Sequence, residues 1–289
     1  GPSVSSQHRT GSRTPKSLSL FGLGTSVVLL VTGCSMDRAS VGWLPVKPGR
    51  PATDNAENLM HLWVWPWAAA LVVGLITWGL MLWCIIAYRR RKNETGYPRQ
   101  LSYHLPLEVF YTFVPVVLIV SMFTFSDRVE RQVTAPKSGS DRQVSVEVYG
   151  KQWAWDFNYT DANVHVTGVQ AHLDGSKGKE AALPTLYLPA NSNVDITLKS
   201  RDVIHSFWVP AFLEKRDTIP GMTNHIYITT KEPGDYKGKC AELNVKVVSR
   251  EDYDKYIESL KQNPENQGVV GDEYNRNPNQ NATPRPADK

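Results

Sequence analysis

The chain has 289 residues, enough for about two domains, with 32 Lys and Arg against 28 Asp and Glu and a formal net charge of +4. That small excess sits in a basic leader and a basic loop, so it gives no ground for a nucleic-acid partner and points to charge that orients a chain across a membrane. Three cysteines in three different settings exclude a disulfide framework.

In the leader, Arg9, Arg13 and Lys16 precede an apolar stretch over 18–31, then Gly33 and Cys34. Basic, apolar and small-residue regions in that order are the layout of a secretory signal. The small residue before Cys34 resembles a bacterial lipoprotein cleavage box, which implies a signal peptide over 1–33 and lipidation of Cys34 at the mature N-terminus. An ordinary signal peptide with an incidental cysteine is the alternative. Residues 34–61 then read as an exported N-terminal linker.

Residues 62–88 are almost wholly apolar, with Trp63, Trp65 and Trp67 at one end and Trp83 near the other. At about 1.5 Å per residue this run crosses a hydrocarbon core of about 30 Å with some tilt, and the tryptophans fit interfacial belts. Residues 107–125, broken by Pro115, form a second span that returns to the starting side. Residues 62–126 are thus a transmembrane hairpin. Its connecting loop collects Arg89, Arg90, Arg91, Lys92 and Arg99, so that loop is expected on the cytoplasmic side and everything after Ser126 outside.

From 127 the pattern changes to short alternating segments at 143–149, 153–159, 185–188, 194–198, 203–209, 224–230 and 245–248, separated by Asn-, Gly- and Pro-containing turns. That is the signature of an all-β sandwich or barrel. Ser249 is placed to cap a helix from Arg250 to about Lys261, with Asp252 at the third position. The domain is expected to span 127–262, and the polar, Asn- and Pro-rich residues 263–289 to form a disordered tail. No CxxCH, GxGxxG, Walker loop or nucleophile elbow occurs, so attached haem c, nucleotide and acyl chemistry have no support.

Three runs carry the chemistry: DVIHSFWVP over 202–210, KRDTIPG over 215–221 and GKCAEL over 238–243. A His on one strand and a Cys in a later turn are what a sheet-built copper site requires, because soft thiolate and imidazole suit copper. Alone, His205 is an ordinary hydrogen-bonded core histidine and Cys240 a small buried apolar residue. In order and spacing the three runs resemble subunit II of cytochrome c oxidase. The resemblance implies a two-helix transmembrane hairpin followed by an all-β cupredoxin-like barrel.

It further implies a dinuclear copper centre, with His205 as a terminal ligand, Cys240 as a bridging thiolate and Glu242 giving a backbone carbonyl. The Glu242 side chain would face a magnesium ion at the junction with subunit I, where a carboxylate suits a hard cation. Trp153, in the aromatic run over 152–159, would be where electrons arrive from cytochrome c or a membrane cytochrome c. The competing reading is a core aromatic, since strand alternation gives Trp153 and Trp155 one face. Glu108 would lie at the mouth of a proton channel of subunit I, or simply favour a helix N-terminus. His104, His165, His172 and His225 read as surface or structural.

By the same resemblance the chain works beside subunit I and subunit III in the bacterial cell membrane, and haem and oxygen chemistry belong to the partner subunit. The ligand run is, however, only half present. Asn244 stands at the second Cys position, Val248 at the second His position, and no Met follows, as though a segment of the loop had been excised. Two other readings stand: a copper-free quinol oxidase subunit II, and a membrane-anchored copper-carrier lipoprotein.

Overall fold

The computed structural model describes residues 36–90, 96–97, 100, 102–137, 143–168, 183–239 and 242–272. The expectations for the signal peptide and Cys34 fall outside these residues, as do those for Cys240 and for most of the basic loop.

A short helix α1 (Met36–Ser40) precedes two long ones, α2 (Asp54–Ala87, 34 residues) and α3 (Leu105–Thr134, 30 residues). Both are long and apolar enough to cross a membrane, with mean hydropathy of 2.3 and 2.0 over their most apolar windows. A span needs about 20 residues, so each helix has turns to spare. Those turns carry α2 and α3 into contact with the β domain, at Asn55, Val129 and Val133, all buried. Hydroxyls inside the spans bond back to their own helix, as Thr77 does to the Val73 carbonyl (2.9 Å) and Ser121 to that of Val117 (2.7 Å). In lipid no water would satisfy them. Residues 36–61 of the expected linker hold helix α1 and the first two turns of α2. Thr53 caps α2, its side chain accepting from the Ala56 amide at 3.0 Å.

Among the described residues the β domain has ten strands: β1 (Gln143–Lys151), β2 (Ala154–Tyr159), β3 (Val164–Thr167), β4 (Thr185–Pro189), β5 (Asn193–Ser200), β6 (His205–Val209), β7 (Glu214–Thr218), β8 (Asn224–Thr229), β9 (Gly234–Gly238) and β10 (Leu243–Val248). They form a five-stranded sheet in the order β3-β2-β1-β5-β8, a three-stranded sheet β4-β10-β9 and a ribbon β6-β7. The cupredoxin-like all-β domain expected from the sequence is present, its strands divided among these sheets rather than in one closed ladder. β1 and β5 run parallel, as do β4 and β10.

Strict alternation along β5 and β10 buries every second residue. These side chains, with Trp155, Phe157, Leu186, Leu188 and Phe207, form one core between the sheets. Helix α4 (Arg250–Gln262) closes its edge. Ser249 caps it, accepting from the Asp252 amide, and Tyr253, Ile257 and Leu260 are its buried face. That i, i+4, i+7 spacing is one stripe of a helix. Tyr256 stacks on Tyr187 at 3.9 Å, and the buried Tyr159 hydroxyl accepts from the Tyr187 amide at 2.9 Å.

Residues 263–272 correct the expectation of a tail disordered from 263. A 3₁₀ turn (Pro264–Asn266) leads into a strap laid over the outer face of β2 and β3. Asn158 grips its backbone twice, donating to the Val270 carbonyl (2.9 Å) and accepting from the Val270 amide (3.1 Å). His165 Nδ1 lies 2.9 Å from the Gly268 carbonyl, and Arg201 donates to that of Gly271. The composition is polar because the strap docks through hydrogen bonds, a mode that hydropathy does not register. It also explains why β2 is buried on both faces.

The N-terminal end of α2 and the C-terminal end of α3 join the β domain through a polar knot. Asn55, fully buried, donates to the Tyr227 carbonyl (2.8 Å), the Glu214 carboxylate (3.1 Å) and the Val133 carbonyl (3.3 Å). Lys137 reaches both the Asn55 side chain (3.0 Å) and Asp54 (2.9 Å), and Asp54 accepts from the Thr229 amide (2.8 Å). Buried polar groups cost free energy unless paired, so a knot this complete fixes how the domain stands on its helices.

Candidate electron-transfer face

β1 and β2 are joined by a two-residue hairpin, since Lys151 is in register with Ala154 and only Gln152 and Trp153 lie between. Trp153 is therefore in the turn, where strand alternation does not apply. It is 54% exposed while Trp155, inside β2, is fully buried. The expectation that the two share a face is corrected by that hairpin.

The hairpin is held from below. Lys151 pairs with the buried Asp156 (2.7 Å), which also meets Arg201 Nε (3.2 Å) and accepts from the Gly168 amide (3.0 Å). The Arg201 guanidinium lies 4.1 Å above the Tyr149 ring, and the Arg201 amide bonds the Gly150 carbonyl. Next in the chain, Asp202 accepts from the Gln152 amide (2.7 Å) with one oxygen and lies 2.6 Å from His205 Nε2 with the other. One carboxylate thus ties the Trp153 hairpin to the imidazole that opens β6. Burial works to raise the Asp202 pKa, but hydrogen bonds from His205 and from the Val203 and Gln152 amides outweigh it and hold the carboxyl below its ordinary value. His205 packs edge-on against Trp155, centroids 6.0 Å apart, and its backbone carbonyl accepts from Thr218 at 3.2 Å. Gly150 makes room for it, because a Cβ there would stand 2.9 Å from the ring.

The third run reaches the same end of the domain. The Lys239 amide bonds the Trp208 carbonyl at 2.8 Å, and Leu243 pairs with Gly238 across the antiparallel β9 and β10. Glu242, next to β10 in the chain, is exposed. Asn244 and Val248, at the second Cys and second His positions, are both in the β10 ladder, in register with Thr185 and Pro189.

A dinuclear copper cluster does not fit these residues. Two bridging sulfurs and two imidazoles cannot come from one Cys and one His, and His205 Nε2 already faces Asp202. Among the described residues no group of three or more His, Cys, Asp or Glu is arranged to hold a metal ion.

Glu108 stands in the first turn of α3, its carboxylate accepting from the His104 amide (3.2 Å) while the His104 ring accepts from the Leu107 amide (3.2 Å). It thus helps to cap the helix. Asp202 and Arg201 were not singled out by sequence reasoning. A carboxylate three residues before the histidine in one turn was the available signal.

The family model for the periplasmic domain of cytochrome c oxidase subunit II matches residues 144–250. A protein named "Probable cytochrome c oxidase subunit 2" from Streptomyces avermitilis is 36% identical, covering 81% of this chain and 83% of its own. Cytochrome c oxidase subunit 2 of Corynebacterium diphtheriae is 29% identical over 86% of this chain and 84% of its own. The periplasmic domain of subunit II of the Bradyrhizobium japonicum cytochrome oxidase superposes with a TM-score of 0.39 at 24% identity, covering 43% of this chain and 96% of that one.

Proposed function

As the chain belongs to the cytochrome c oxidase subunit II family, we propose that it is the electron-accepting subunit of a haem-copper terminal oxidase in the bacterial cell membrane. The observation that carries this reading is Trp153, an exposed indole at the tip of a two-residue hairpin whose fully buried neighbour Trp155 anchors it. A flat π-surface held out on a rigid turn suits a haem edge, both as a contact and as a short tunnelling gap. The basic loop that includes Arg89 and Arg90 supports a reading in which this face lies outside, where a soluble or membrane-bound cytochrome c would dock. The apolar surfaces of α2 and α3 pack against subunit I and subunit III. Subunit I holds the haems, reduces oxygen to water and pumps protons. Glu242 would turn its carboxylate toward a magnesium ion at that junction, Glu108 would lie at a proton-channel mouth, and Cys34 would carry the lipid anchor.

The chain as it stands supplies only His205, Cys240 and Glu242 toward the copper centre of its family. The β10 ladder positions of Asn244 and Val248, where the family has its second Cys and second His, favour a second reading, a copper-free subunit II whose oxidase takes electrons from a quinol. Purified oxidase containing this chain should oxidise reduced cytochrome c, and Trp153→Ala should lower kcat/KM for it by ~10-fold or more, since an anchoring interface tryptophan is worth about 2 kcal/mol. Oxidation of quinol but not cytochrome c, with Trp153→Ala silent, would establish the second reading instead. In either case copper counted per complex should not exceed what subunit I binds.

A further inference from the structure

We propose that the turn after α1 is a third membrane contact, separate from the two spans, in which Trp43 lies in the outer headgroup interface of the bilayer. It rests on the reading of α2 and α3 as membrane helices. Helix α1 ends with the Gly42 amide on the Ala39 carbonyl and the Trp43 amide on that of Arg38, both at 3.0 Å. Gly42 and Trp43 both have φ of 58°. For Gly42 the reason is internal. A Cβ there would stand 2.6 Å from Trp63 Cδ1, and the Trp63 indole N–H donates to the Gly42 carbonyl at 3.0 Å.

Trp43 has no such internal reason, because it is 66% exposed, as Met36 is at 78%. A bulky residue in the left-handed region is uncommon, and such strain is retained where the surroundings or a function require it. The segment is otherwise well anchored. Val41 and Val46 are buried, and Arg50 pairs with Glu232. A fixed turn that holds an indole outward differs from a frayed terminus.

Depth decides what it meets. Trp63, which touches the turn, is the second residue of the apolar run that begins at Leu62, and it packs edge-on against Trp67 at 5.6 Å. Trp65 and Trp67 are exposed at the same level. Tryptophan collects at this level because its ring is apolar and its N–H is polar. Trp43 continues that belt from outside the helix, and Arg38 and Lys47 flank it as cations for lipid phosphates.

The test replaces Trp43 with the photoreactive p-benzoylphenylalanine in the full chain, assembled in its oxidase in native membranes. Irradiation should give phospholipid adducts on the peptide that contains position 43, well above the level at position 153 with the same replacement. Adducts from position 43 to another oxidase subunit, or lipid adducts no more frequent than at 153, would overturn the proposal. The same probe at Trp83 separates the two readings. If it reacts with neither lipid nor a neighbouring helix, the membrane hairpin itself has failed; if it reacts and position 43 does not, only the present inference has.

Discussion

Glu214 offers the sharpest test of how the domain is joined to its helices. Its carboxyl lies in the knot beside Asn55, and its pKa is pushed up from 4.5 to about 7, first by burial and then against Asp54, while Asn55, Arg216 and Lys137 pull the other way. A carboxyl whose folded pKa exceeds its unfolded value stabilises fully below the unfolded value, and that contribution fades as pH rises through the folded one. The window is therefore pH 4.5 to about 7. At about 1.4 kcal/mol per pKa unit the full effect is ~3.5 kcal/mol, and ~2 kcal/mol after allowance for partial solvent access. Glu214→Gln keeps an acceptor for Asn55 and removes the titration. The variant should match the parent protein near pH 4.5 and exceed it by ~2 kcal/mol at pH 8. Thermal unfolding of both proteins in lipid nanodiscs across that range reads the difference. Parallel pH profiles would show that the carboxyl is solvated like any surface group, and the account of the knot would be wrong.

Asn158→Ala should free the strap, because it removes both bonds to Val270 in a fully buried setting, at a cost of about 2 kcal/mol. Limited proteolysis should then cut within 264–272 well before the sheets unfold. Gly150→Ala should displace His205, whose ring would lie 2.9 Å from the new methyl group, and with it the Asp202 bridge to the Trp153 hairpin. NMR of the His205 ring and KM for cytochrome c should both change, and an unaltered His205 signal would refute the coupling.

What could be read along the chain was whatever depends on periodicity. Uniform apolarity over 62–88 and 107–125 marked both spans, and alternation marked β5, β8 and β10. Ser249 followed by Asp252 marked the start of α4 to the residue. Three strands escaped. β3 is four residues long, β7 alternates charged residues around its ribbon partner, and β9 is Gly-bounded with one buried aromatic. Each is defined by its neighbour in the ladder, and its own sequence says little.

The sequence by itself determined the membrane hairpin, the all-β domain after it and the family, because hydropathy, alternation and motif spacing are local properties of the chain. Tertiary structure alone decided that Trp153 is exposed and Trp155 buried, and that Asp202 spans from the hairpin to His205. It decided too that residues 263–272 are docked and that Asn244 and Val248 lie within the β10 ladder. Those outcomes depend on which distant segment lies against each residue, and burial and hydrogen bonding exist only once the segments meet.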